Sequence, residues 1–273
     1  MAKNQTYPEL PRMEVEALGI RTNCYTAGQK EKPAVIMLHG MSTSADSFRE
    51  LMHLMADDYY LIAPDIPGFG YSENTDPYTM QHLIEWLADL VENLNLPSAH
   101  LLGHSFGGVL AMGEALSYPE KYERLVLVAP AVLVASQYPD WLKKAGKNLR
   151  LVEAGIVLSR VLLERQIRVP FFDAGSMDET VWERRRMDYA NSRASAAAMN
   201  AVAFYDVRPR LPEIQQPTFI IWGEDDPVVP HEHAEKIERF IPNSQIYKVS
   251  TCGHIPMLER EQEVAGIVRE FLQ

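Results

Sequence analysis

Three short stretches carry the side chains that could perform covalent chemistry. "GHSFGG" (103–108) sets Ser105 between glycines, "WGEDDPVVP" (222–230) lines up Glu224, Asp225 and Asp226, and "TCGHIPMLE" (251–259) carries His254. A serine hydroxyl is a poor nucleophile alone; it needs a base, and the base needs an orienting acid. The G-x-S-x-G pattern falls between an apolar run and a helical one. A serine there must make a sharp strand-to-helix turn, which exposes its Oγ at the carboxyl end of a sheet, beside a helix N-terminus. The competing reading is a glycine-rich turn or a nucleotide loop, but neither G-x-G-x-x-G nor G-K-[ST] is present at this point.

The other candidates separate by context. Of eight histidines, His231 and His233 are two apart on an expected helix and share no face, so they make a poor metal pair. His53, His82 and His100 fall in or near amphipathic elements, where surface or core roles are expected. His254 follows the last expected strand on a glycine-containing loop, at the edge where Ser105 also lies. Consecutive side chains on extended chain point to alternate sides, so the three acids do not converge on a metal ion. A convergent ligand set is missing elsewhere too. Neither a metal nor an organic cofactor is expected. Cys252 reads as a packed small side chain or a reactive thiol.

These residues need a scaffold, and the hydrophobic pattern supplies one. "MEVEALGIRTNCYTAG" reads as an opening hairpin. "PAVIMLHG", "YYLIAPD", "AHLLGHS", "RLVLVAP", "PTFIIWGE" and "SQIYKVS" read as strands. Helices are expected at "SADSFRELMHLMAD" (capped by Ser44 or Asp46), "TMQHLIEWLADLVENLNL", "FGGVLAMGEALSYP", "HEHAEKIERFI" and "EQEVAGIVREFL". Solid apolar strands between amphipathic helices imply a parallel sheet covered on both faces. The division expected is a core of residues 1–130 and 213–273, with a helical insertion, 131–212, as a cap. Residues 141–212 hold 13 basic against 8 acidic side chains, whereas the rest of the chain holds 13 against 29. "ERRRMD" (183–188) reads as a helix surface. Trp141, Phe171, Phe172, Trp182, Phe204 and Tyr205 are candidates for a pocket wall or for the core of the insertion.

The chain has 273 residues and a net charge of −11, which argues against nucleic acid and against an anionic membrane surface as partners. The longest apolar run, "LVLVAPAVLVA" (125–135), is far shorter than the roughly 20 residues that span a bilayer. The N-terminus lacks an apolar signal region. Two cysteines, Cys24 and Cys252, form no disulfide framework. A reducing cytoplasm is the expected location; oligomeric state is left open.

Taken together, "LHG" (38–40), "DIPGFGYS" (65–72), "GHSFGG", "WGEDDPVVP" and "CGHIPMLE" resemble the α/β-hydrolase superfamily over nearly the whole chain. The resemblance implies a mostly parallel, eight-stranded-type sheet with helices on both faces and a helical cap. It implies Ser105 as nucleophile, His254 as general base and an aspartate as its partner. In that family the acid follows the Trp-Gly with two residues between, which lands on Asp226; Pro227 also restricts that residue to extended backbone. Two backbone N–H groups should serve the oxyanion: Phe106, just after the nucleophile, and Met41, after His39-Gly40. A second glycine common in this loop among relatives is absent from "HGMSTSADSF". His39 is expected to brace that loop, Asp65 to bond locally, and Glu259 to anchor the loop after His254 or cap the last helix. Cap-bearing carboxylesterases and hydrolases of C–C or enol-lactone bonds are the most similar subgroups. The implied substrate is a small ester; an anionic C–C or lactone substrate is the alternative, and a hydrolase-fold small-molecule receptor the third. Epoxide and haloalkane hydrolysis are disfavoured because those relatives carry an aspartate where Ser105 stands.

Overall fold

A computed structural model describes residues 7–132 and 160–273 of the chain. Eight strands form one sheet: β1 (Arg12–Ala17), β2 (Ile20–Ala27), β3 (Ala34–Leu38), β4 (Tyr60–Pro64), β5 (Ala99–His104), β6 (Tyr122–Val128), β7 (Thr218–Gly223) and β8 (Ser244–Val249). Their spatial order is β1-β2-β4-β3-β5-β6-β7-β8. The β1–β2 and β2–β4 pairs are antiparallel, and every pair from β4 to β8 is parallel. Leu18 and Gly19, both at positive φ, form the two-residue turn whose twist suits a hairpin.

Alternation explains why the parallel strands read as solid apolar runs. Ile36, Leu38, Leu101, Leu125 and Ile220 point into one core; Val35, Met37, Leu102, Val126 and Phe219 point into the other. A strand buried on both faces has no polar side to display. Helices α2 (Met80–Asn93) and α3 (Phe106–Ser117) cover the first face. Helices α1 (Arg49–Met55) and the C-terminal α9 (Glu261–Leu272) cover the second. Thr79 caps α2 by accepting from the His82 N–H, and Trp86 donates its indole N–H to Thr22 Oγ1 at 3.0 Å in the same buried layer.

One expected helix is divided. Ser44 caps a 3₁₀ turn, Ala45–Phe48, before α1 begins. Asp46 caps nothing there: it binds Arg49 at 2.6 Å.

Between β6 and β7 the described residues form α4 (Arg160–Arg168), α5 (Glu179–Ala190) and α6 (Ser195–Ala203), with no strand. Residues 133–159 of the expected helical insertion, Trp141 among them, lie outside the described residues. Past β7 come α7 (Glu232–Glu238) and α8 (Pro256–Glu259); the short α8 was not expected. No helix among the described residues is long and apolar enough to cross a membrane.

Candidate active site

The five expected site residues sit at the carboxyl ends of four parallel strands: Met41 beyond β3, Ser105 and Phe106 beyond β5, Asp226 beyond β7, His254 beyond β8. In a parallel sheet all of these ends open on one edge.

Ser105 occupies the turn between β5 and α3 with φ 51° and ψ −112°. A β-carbon in that region is strained, and the surroundings hold it there. Its N–H donates to Val128 O at 2.9 Å; its carbonyl accepts from Gly108 N–H at 3.0 Å and Ala131 N–H at 3.2 Å. The flanking glycines are steric necessities. A β-carbon at 103 would lie 2.4 Å from Gly107 O, and one at 107 would lie 2.2 Å from Leu38 O. The Phe106 N–H opens α3, among the donors that find no acceptor inside a helix. A β-carbon at Gly40 would lie 3.4 Å from Ser105 Cβ, so the 40–41 backbone runs beside the serine.

His39 braces that backbone. Its Nε2 accepts the Ile66 N–H at 2.9 Å, which leaves Nδ1 protonated to donate to Gly40 O at 2.8 Å. Burial, with the Arg185 charge adding to it, pushes His39 down to about 4 and keeps it neutral. Behind it, Asp65 accepts from Asn23, Ala45 and Tyr71, the local structural role expected of it.

The three acids part company. Glu224 is exposed and accepts from Ser250 Oγ at 2.7 Å. Asp225 is also exposed. Asp226 turns inward with its side chain fully buried: Oδ2 accepts His254 Nδ1–H at 2.7 Å. Its Oδ1 accepts the Val228 and Val229 N–H groups, each at 2.8 Å. Three donors thus converge on its two oxygens, both of which act as acceptors. Gly223 permits the fold, because a β-carbon there would lie 2.0 Å from Gly253 O, on the histidine loop.

His104, one residue before the serine, also reaches that loop. Its Nε2–H donates to His254 O at 2.9 Å, and the two rings lie 4.9 Å apart. Burial, and next the neighbouring His254, hold His104 well below the ordinary imidazole range. Glu259 accepts the Gly253 N–H at 2.9 Å and the Phe172 N–H at 2.8 Å, so it holds the loop just before His254. Burial pushes the Cys252 thiol up, away from thiolate chemistry. Among the described residues no cluster of His, Cys, Asp or Glu could hold a metal ion.

One expectation is corrected. "ERRRMD" is not simply a helix surface: Arg185 is 5% exposed. Its Nη1 lies 3.5 Å from Asp188 Oδ2, and neither Nη1 nor Nε makes a hydrogen bond among the described residues. Burial pushes Asp188 up to about 6 despite that neighbour. Other arginines nearby in the chain are occupied: Arg184 by Asp46 and Glu50, Arg186 by Glu164 and Glu179. The charge of Arg185 is felt at His39 and His104. Of the candidate pocket aromatics, Phe171 and Trp182 are buried edge-to-face at 5.0 Å, Tyr205 is half-buried, and Phe172 and Phe204 are exposed.

Residues 33–261 match the model of the alpha/beta hydrolase fold family. A 2-hydroxy-6-oxo-6-phenylhexa-2,4-dienoate hydrolase of Burkholderia cepacia is 30% identical over 264 residues, covering 92% of this chain and 91% of its own. An uncharacterised hydrolase of Bacillus subtilis is 27% identical over 261 residues, covering 89% of this chain and 90% of its own. Among solved structures, a thermophilic esterase from Thermogutta terrifontis superimposes with a TM-score of 0.82 at 26% identity, covering 96% of this chain and 98% of its own.

Proposed function

The chain belongs to the α/β-hydrolase family, and on that premise we propose that it is a serine hydrolase cleaving carboxylic esters of small acyl substrates. The observation that carries this reading is the 2.7 Å hydrogen bond from His254 Nδ1 to the buried Asp226 carboxylate, across the sheet edge from a serine on a strained turn. With Nδ1 protonated, His254 Nε2 is a lone pair free to take the Ser105 proton. Oγ then attacks the ester carbonyl. The Phe106 and Met41 N–H groups receive the oxyanion, and Asp226 stabilises the imidazolium that forms. His254 returns its proton to the leaving alcohol. Water, activated by the same imidazole, releases the acid. Residues 131–212 serve in this reading as a helical cap over that edge. The test is a panel of short p-nitrophenyl esters: turnover is expected, and Ser105→Ala should remove nearly all of it. Turnover that survives Ser105→Ala sinks the reading.

Arg185 favours a second reading of the same site. A buried guanidinium whose Nε and Nη1 make no hydrogen bond among the described residues is suited to an anionic group. The reading is then hydrolysis of a C–C or enol-lactone bond in a carboxylate-bearing substrate; the Burkholderia cepacia relative is named as the hydrolase of a dienoate. Arg185→Gln discriminates. It should lower kcat/KM for a carboxylate-bearing vinylogous diketone about 10–100-fold, as expected when a charged hydrogen-bond partner is lost, and leave neutral esters within a few-fold. Equal losses on both substrates would assign Arg185 to structure alone.

A further inference from the structure

The loop that carries His254 is fastened on one side to the sheet and on the other to the segment after α4. Gly253 N–H donates to Glu259 Oε1 at 2.9 Å, and Phe172 N–H donates to Glu259 Oε2 at 2.8 Å. One buried carboxylate, 3% exposed, therefore bridges two backbones that are otherwise far apart in sequence. A direct link runs beside it: His254 N–H donates to Pro170 O at 2.7 Å. The two backbones are in contact as well as bonded, since a β-carbon at Gly253 would lie 2.4 Å from Pro170 O and 2.7 Å from Phe172 N. The remaining backbone tie of His254 is its carbonyl, held by His104 at 2.9 Å. Of the polar backbone contacts that orient the imidazole, those through residues 253 and 254 N–H all pass to residues 170–172 or to Glu259.

That segment is itself attached to α5. Phe171 packs edge-on against Trp182 at 5.0 Å, and the Arg168 guanidinium lies over the Trp182 ring at 4.2 Å. Trp182 is one turn from the buried Arg185. A displacement of α5 thus reaches the base without crossing the sheet.

We propose that Glu259 is a positioning residue that joins residues 170–172 to the base-carrying loop as one unit, so that His254 is held against Asp226 only while that segment is docked. This rests on the Ser105–His254–Asp226 reading. The physical reason is tolerance. Misplacing a catalytic group by about 1 Å costs on the order of 10²-fold in rate, and a loop freed on one side moves by more than that. A helix-capping glutamate would not need a second oxygen on Phe172; Glu259 spends one oxygen on each backbone.

Glu259→Gln is the direct test. Glutamine offers one acceptor oxygen and turns an NH₂ toward the other N–H, so one of the two links must open. The expected result is a fall of about 10–100-fold in kcat with KM within about 3-fold. With it should go the far-downfield proton resonance of His254 Nδ1–H that its bond to Asp226 produces. Gly253→Ala, which wedges the same backbones apart and leaves every charge in place, should give the same pattern; Glu263→Gln on the surface should give none. A folded Glu259→Gln enzyme with wild-type kcat overturns the proposal, as does a fall in kcat with the downfield proton intact. Should both variants fail to fold, hydrogen exchange on the wild type decides. The His254, Gly253 and Phe172 amides open together if they are one unit, and a more than tenfold difference in their exchange rates rejects it. Wild-type turnover that persists in Ser105→Ala marks the failure of the underlying reading instead, whatever the exchange shows.

Discussion

Glu224, Asp225 and Asp226 share a chemistry and differ in where they point. Asp226 is the one whose carboxylate meets an imidazole. Asp226→Asn keeps the size and removes the charge, and it can turn an NH₂ toward Nδ1, which demands the wrong tautomer. A loss of about 10³–10⁴-fold in kcat is expected, the scale of that substitution in a serine triad. Asp225→Asn, exposed, should stay within about 2-fold; equal losses would move the acid's role elsewhere in the loop. The family resemblance and the spacing from Gly223 both point to Asp226, and the short loop that carries it is tied by Trp222 Nε1–H donating to Val229 O at 3.0 Å. Arg185 was not legible in the same way. It shares a helix face with Trp182 and Asp188, all three buried, so that face is one aromatic and one ion pair. Apolar periodicity is the signal that reveals a buried face, and here it was absent. A run of three arginines beside a tryptophan was the available hint.

At the scale of elements, the site depends on turns that only glycine allows. Gly107→Ala would drive a β-carbon to within 2.2 Å of Leu38 O and 2.5 Å of Leu38 C, backbone atoms of a central strand that cannot yield. Collapse of the β5–α3 junction is expected, with a loss of at least about 3 kcal/mol, the range of severe overpacking, read as a fall in the urea midpoint. Gly266 on α9 is the contrast. A β-carbon there meets nothing within 4 Å, and Gly266→Ala should stabilise by about 0.5–1 kcal/mol by restricting the unfolded chain. A matched effect at the two positions would refute this steric account. Strand positions were legible because two buried faces leave an unbroken apolar run. Boundaries were not: α1 and the 3₁₀ turn before it share one amphipathic pattern, and the divide is set by where Ser44 caps. Nor did the sequence announce α8, four residues long, too short for any periodicity to show.

Across the whole molecule, burial displaces titrations far from the proposed chemistry, and Glu114 shows the consequence best. It lies on α3, fully buried. Tyr122 donates to its Oε1 at 2.9 Å, and Oε2 has no partner among the described residues. Burial pushes this carboxyl up to about 8, against an ordinary value of 4.5; the hydrogen bond from Tyr122 and the charge of Lys121 only partly oppose it. Between those two values the folded chain holds a proton that the unfolded chain gives up. Unfolding then releases a proton, so this group's contribution falls steadily as pH rises from about 4.5 to about 8 and is level beyond. Asp65, pushed by burial up to about 6, acts in the same direction over a lower window. His39, pushed by burial down to about 4, acts in the opposite one: folded and neutral while the unfolded imidazole is charged, it costs stability as pH falls below about 6.5. Acid and base therefore erode the fold through different buried groups, and a single substitution separates them. Glu114→Gln keeps the shape and the acceptor for Tyr122 and abolishes the titration. At pH 5 the variant should match the wild type within about 1 kcal/mol, since both side chains are neutral there. At pH 8.5 it should be the more stable by on the order of 2–4 kcal/mol. Urea midpoints taken at the two pH values measure this directly, and parallel pH profiles for the two proteins would show that Glu114 is already ionised in the fold at neutral pH.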